Sequence, residues 1–345
     1  MTQLTNSATN TSHAAGSRIV YLDYLRIFAC LLVILQHSPI PGNGAPSFIM
    51  TGISFFTAPC IGLFFMVSGA LLLNEDLSMV DFYRRRLPKV VVPTLVWTFI
   101  YITINLLDGT SRFDELPVIL SSIPFSAQGH PILWFMYTLV GLYLITPVLS
   151  KWLKTATKKE VSTILLLWLL TTLFPVFCGI FSINQGTTGL YYYLSGYAGY
   201  YLLGYFINYY SVRSSFSFSF ICIVIPIIIC GMAIYWIPSI DFYSVFWHLS
   251  FFVVAMCVGW FLLFMKINFK YSKLSASLSA LTFGVYLCHI LVMRYFLWHL
   301  QFILCLPWYW QISVVSIITY LVSILLSLLF AYFPHGKYLV GIHLD

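Results

Sequence analysis

The chain has 345 residues, 60% of them hydrophobic, and its 17 Lys+Arg and 10 Asp+Glu make up only 8% of the total, against roughly 25% charged residues in a soluble domain. So few charges cannot cover so much apolar surface in water, which excludes a soluble enzyme and makes lipid the solvent. The formal net charge of +7 then reads as a loop topology signal and not as a nucleic-acid footprint.

Residues 1–18 hold Thr, Ser, Asn and Ala without apolar periodicity and are expected to be a disordered cytoplasmic tail. The first apolar span, Ile19 to Ser38, carries Asp23, Arg26 and His37. At about 100° per residue Arg26 and His37 differ by only ~20° after three turns, so they share a face. Asp23, one turn before Arg26, is placed to pair with its guanidinium. A plain reading makes these an interfacial anchor and a helix-end His, but ionisable groups inside spans are functional by default. The Ser-Pro-Ile-Pro-Gly-Asn-Gly segment after His37 reads as a turn without a small-x-small cleavage site.

The second span, Ile53 to Leu73, contains Gly62, Ser68 and Gly69, small residues that allow close helix packing. After it, Arg84, Arg85, Arg86 and Lys89 form a basic loop. Such a loop sets topology or touches headgroups; alternatively it clamps phosphate, which the arginine fork matches. Val90 to Leu107 is the third span, and the connection Asp108 to His130 is long enough to cover an outward-facing cleft. The fourth span, Pro131 to Leu149, opens on Leu133-Trp134-Phe135, where Trp134 suits an interface.

Five further apolar stretches, Val161 to Ile180, Leu190 to Tyr209, Phe216 to Ile237, Phe242 to Met265 and Trp308 to Phe333, flank the ninth in chain order, Leu281 to Cys305. In that ninth span Tyr286 and His289 stand one turn apart, ahead of Arg294. His289 reads either as a satisfied core imidazole or as part of a site, whereas His248 and His299 have no comparable partners in sequence and read as structural. The eight cysteines are scattered, with no Cys-x-x-Cys pair, and read as apolar fillers; neither a disulfide framework nor a metal site is supported.

The expected architecture is therefore all-α and polytopic: one membrane domain of about ten transmembrane helices over residues 19–333, with a short cytoplasmic tail at 334–345. Arg18, the Arg84 to Lys89 cluster, Lys151, Lys154, Lys158, Lys159, Arg213, Lys266, Lys270, Lys273 and Lys337 fall on one side of these spans, and Arg112 alone on the other. Positive-inside logic places both termini in the cytoplasm.

Taken together, Asp23, Arg26 and His37, the Phe64 to Gly69 run, the basic Phe82 to Pro93 stretch, Leu133-Trp134-Phe135 with Tyr143 and Pro147, and Phe283 to His289 resemble the acyltransferase-3 family of integral membrane acyltransferases. The resemblance is greatest to the stand-alone surface-polysaccharide O-acetyltransferases and to the membrane half of the vancomycin-resistance serine racemases. It implies transfer of an acetyl or similar acyl group from cytoplasmic acyl-CoA to a glycan or lipid-linked sugar hydroxyl, with acetyl-CoA as a substrate and no permanently bound cofactor. His37 is the expected catalytic base. Asp23, Arg26, Arg84, Arg85 and Arg86 are expected to bind the donor, and Ser68, Trp134, Tyr286 and His289 to line the pocket. The chain departs from the family pattern where Pro131-Ile132-Leu133 separates His130 from Trp134, and where Lys89 stands for a second basic-loop Arg. The competing class is a membrane exporter using the same intramembrane charges as a substrate path.

Overall fold

A computed structural model of the chain describes residues 18–125, 131–181, 183, 194–237, 241–334 and 336–340. Among the described residues the secondary structure is helical throughout, and eight helical stretches are long and apolar enough to cross a membrane. The chain is thus an all-α, multi-pass membrane protein. The sixth and eighth of the ten expected spans are shorter, with helices of 12 and 16 residues. The sixth begins in residues that lie outside the described ones, and the eighth is interrupted at Phe246 to Ser250, ahead of its longer helix.

Helix α1 spans Val20–His37, 18 residues and so about 27 Å. Its end is turned by Gly42 and Gly44, both at positive φ (77° and 78°), which only glycine adopts without cost. Asn43 fixes that turn by accepting from the Ala45 amide and donating to Gln311, 2.9 Å away. The second span is broken into α2 (Ser47–Thr57) and α3 (Pro59–Leu72). Pro59 has no amide to reach the Phe55 carbonyl, which accepts instead from Ala58. Next come α4 (Met79–Arg85) and α5 (Pro88–Leu107), with Pro88 at the helix start, where its missing donor is harmless.

The long connection after α5 contains α6 (Leu116–Ser122), which packs Ile119 and Ile123 against Ile102. None of residues 108–125 reaches the cavity described below. Then follow α7 (Trp134–Leu153), α8 (Lys158–Thr171) and α9 (Phe174–Phe181). A capping box between Thr157 and Glu160 starts α8, and the bonds from Thr157 hold the exposed Glu160 carboxyl below its ordinary range. The remaining helices are α10 (Ala198–Tyr209), α11 (Phe216–Trp236), α12 (Phe242–Val245), α13 (Phe251–Lys266), α14 (Lys273–Tyr295), α15 (Gln301–Leu304) and α16 (Trp308–Tyr332). Ser215, Ser250 and Ser272 cap α11, α13 and α14 by accepting from backbone amides.

Burial separates the centre of the bundle from its lipid-facing edge. The apolar stretch containing α3 is 83% buried and that of α14 is 67% buried, whereas α11 and α16 are only 22% buried. Hydropathy would have ordered them the other way, because lipid accepts the most apolar helices on its own side. α3 packs against α10, α1 and α13, and α14 packs against α16 and α1. The small residues of α3 permit this: a Cβ at Gly69 would fall on the Tyr201 carbonyl of α10, and one at Gly204 on the Met66 carbonyl.

Candidate active site

A cavity of about 430 Å³ lies among α1, α3, α14, the start of α7 and the segments entering α10 and α13. Its size falls within the roughly 300–1,000 Å³ of small-molecule sites. His37, His248 and His289 all line it, with Trp134, Tyr286 and Cys60 among the other walls. Among the described residues no Asp, Glu, Lys or Arg does. His37, the last residue of α1, lines the open volume and is itself exposed.

The walls are held by hydrogen bonds that use up most other polar groups. The Tyr286 hydroxyl donates to the Ile132 carbonyl at 2.8 Å, so Tyr286 serves as a wall with its proton committed. Cys60 donates to Gln36 at 3.2 Å. His248 Nδ1 lies 3.0 Å from the Ala58 carbonyl, at the break between α2 and α3. The His248 ring lies tilted against those of Trp247 and Trp134, with centroids 4.3 and 5.8 Å away. The His37 and His289 rings stand 5.4 Å apart at 44°. No group of three His, Cys, Asp or Glu side chains among the described residues is arranged to hold a metal ion.

Of the expected pocket residues, Trp134, Tyr286 and His289 join His37 at the cavity, and Ser68 does not. Ser68 lies eight residues beyond Cys60 on α3, about 12 Å further along the axis. His130 lies outside the described residues. His248 was read as structural, yet it is a cavity wall. An ionisable residue inside an apolar run was the available signal, the same one that marked His289.

At the opposite end of α1 the expected pairing of Asp23 with Arg26 is not formed. Asp23 is held by both arms of Arg18, at 2.6 and 3.1 Å, and Arg18 also donates to the Ala276 carbonyl of α14. The chain before Val20 is extended, so the Arg18 fork can fold back onto a first-turn carboxylate, a position also favoured by the helix dipole. Among the described residues no carboxylate bridges Arg26, whose electrostatic neighbours are Tyr143 of α7, Asp23 and Arg18. The basic loop divides as well. Arg84 and Arg85 are exposed, whereas Arg86 is half-buried, held bidentately by Glu75 and electrostatically coupled to Tyr143. Arg86 is therefore the loop arginine that shares Tyr143 with Arg26.

No curated protein and no solved structure matches the chain. A family model described as an acyltransferase domain, Acyl_transf_3, matches residues 19–332, from the start of α1 to the end of α16 and including every wall of the histidine cavity. With this match over nearly the whole chain, the protein belongs to the acyltransferase-3 family and is a multi-pass membrane acyltransferase.

Proposed function

We propose that the protein is an O-acyltransferase that moves an acetyl or similar acyl group from acyl-CoA to the hydroxyl of a cell-surface or lipid-linked glycan. It sits in the bacterial inner membrane with both termini cytoplasmic. The observation that carries this reading is the layout of α1. Arg26, without a bridging carboxylate, stands near its cytoplasmic end, and eleven residues later His37 faces the cavity. At about 1.5 Å per residue the two are roughly 16 to 17 Å apart, a span similar to an extended pantetheine arm.

On this reading Arg26 and Arg86, on either side of Tyr143, attract CoA phosphate oxygens, with Arg84 and Arg85 adding surface potential at the entry. The arm threads along α1 and brings the thioester into the cavity. There His37 accepts the acceptor hydroxyl proton as the oxygen attacks the acyl carbon, work suited to an imidazole near neutral pH. The cavity holds a thioester end and part of one sugar, so the bulk of both substrates stays outside it. Bringing the substrates together in this way supplies much of the acceleration before any proton moves.

Release of free thiol from acetyl-CoA by membranes containing the full chain tests the reading. His37→Ala should lower this rate by about 10²-fold or more while the protein still inserts at its normal level. Near-normal turnover in that variant overturns the base assignment, and absence of thiol release by the unaltered chain, with transport of a glycan precursor instead, favours an exporter.

A further inference from the structure

His289 has a feature that acyl transfer by His37 alone does not use. Its Nδ1 faces the Tyr286 carbonyl, and a carbonyl only accepts, so Nδ1 carries the proton and Nε2 of the neutral ring holds a lone pair. That Nε2 is buried and has no hydrogen-bond partner among the described residues, a costly and uncommon state for a polar atom in a protein interior. The His37 ring stands 5.4 Å away, centroid to centroid. Two imidazoles joined edge to edge by one N–H···N bond have centroids about 5 Å apart, so a modest rotation of His37 joins them.

We propose that His289 is the positioning residue of His37: its Nε2 accepts the N–H of His37 that faces away from the acceptor hydroxyl. This inference rests on the acyltransfer reading and extends it. The Tyr286 carbonyl fixes the His289 tautomer, His289 fixes the tautomer of His37, and the other nitrogen of His37 is left as the base. During transfer that nitrogen takes the hydroxyl proton while the acceptor oxygen bonds to the thioester carbon. The C–S bond breaks, and the thiolate takes the same proton from the imidazolium, giving ester, CoA thiol and neutral His37. His289 gains and loses no proton. Its bond to His37 strengthens while His37 is charged, which stabilises the imidazolium at a cavity that no carboxylate among the described residues lines.

The groups facing the pair leave this role to His289. From α3 Cys60 donates to Gln36, and on α14 Tyr286 donates to the Ile132 carbonyl. Tyr197 and His248 complete the titratable walls, and His248 Nδ1 is turned to the Ala58 carbonyl. His248 is thus the other imidazole among the cavity walls, and the test includes it.

Thiol release from acetyl-CoA is measured against pH in membranes containing the full chain, for His289→Leu, His289→Gln, His248→Gln and His37→Ala. His289→Leu removes the acceptor; kcat should fall roughly 10- to 100-fold with the acetyl-CoA KM within about two-fold of the parent. Losing a bond to the charged form disfavours it, so the acid limb of the kcat profile should move to lower pH by about one unit. His289→Gln restores an acceptor oxygen and should recover most of the rate and the position of the limb. A His289→Leu protein with parental kcat and an unmoved limb, while His37→Ala is inactive, overturns the positioning role and leaves the base assignment standing. Activity in His37→Ala instead removes the base assignment itself. A limb that moves in His248→Gln and stays in His289→Leu assigns it to His248 and also overturns the proposal. Should His289→Leu fail to insert, a folded His289→Gln as inactive as His37→Ala overturns it.

Discussion

His37 and Arg26 sit on one face of one helix, and that relation is plain in the sequence because helical geometry alone sets it. Their surroundings were not legible. Whether Asp23 pairs with Arg26 or Arg18 depends on how the extended segment before α1 folds back, and Arg18 takes the carboxylate. Arg26 is therefore available to a phosphate, and Arg26→Ala should weaken equilibrium binding of a non-hydrolysable acetyl-CoA analogue about ten-fold or more. His37→Ala should leave that binding near the parental value; equal affinity in Arg26→Ala and the parent would remove the clamp. The three loop arginines should also separate. Arg84→Gln with Arg85→Gln should raise the donor KM mildly and in a salt-dependent way, because both are exposed. Arg86→Gln leaves Glu75 without its bidentate partner and should lower thermal stability as well as donor affinity. Identical effects in the two variants would contradict the division.

At the scale of elements, the pairing of α3 with α10 holds the cavity wall bearing Cys60 against the helix entered through Tyr197. Gly69 and Gly204 make the approach possible because a Cβ at either would meet backbone, which cannot move aside as a side chain can. Gly69→Val is expected to destabilise the protein by roughly 3 kcal/mol or more, seen as a lower melting temperature in detergent and a loss of folded protein. Gly141 in α7 has open space around it, so Gly141→Ala should instead be neutral or stabilise by up to about 1 kcal/mol through helix propensity. Similar losses in both variants would show that helix packing is not the cause. The sequence marked Gly62, Ser68 and Gly69 as packing residues through their size and spacing. The partner helix was not legible, since small residues state that something approaches closely and not what approaches.

At the scale of the whole molecule, the proposed function, with Arg26 near one end of α1 and His37 at the other, has the two substrates arrive from opposite faces. In sealed vesicles, acetyl-CoA supplied only to the cytoplasmic face should support acylation, and acetyl-CoA supplied only to the outer face should not; activity from the outer face would sink the two-sided arrangement. Composition by itself determined the solvent, the all-α class and most of the membrane segments, because a lipid interior requires long apolar helices that satisfy their own backbone groups. Residue type and spacing also brought out His37, Tyr286 and His289, each an ionisable or polar group with its partner one or three turns away on the same helix. The tertiary structure decided what helical spacing cannot encode. It drew His248 from an apolar run over 200 residues beyond His37 into the same cavity and left Ser68 outside it. It also gave Asp23 to Arg18, and set an unpartnered Nε2 of His289 beside His37. Local periodicity reports which residues share a face of their own helix, whereas membership of a cavity depends on which helices meet there, and that is set by packing among segments distant in the chain.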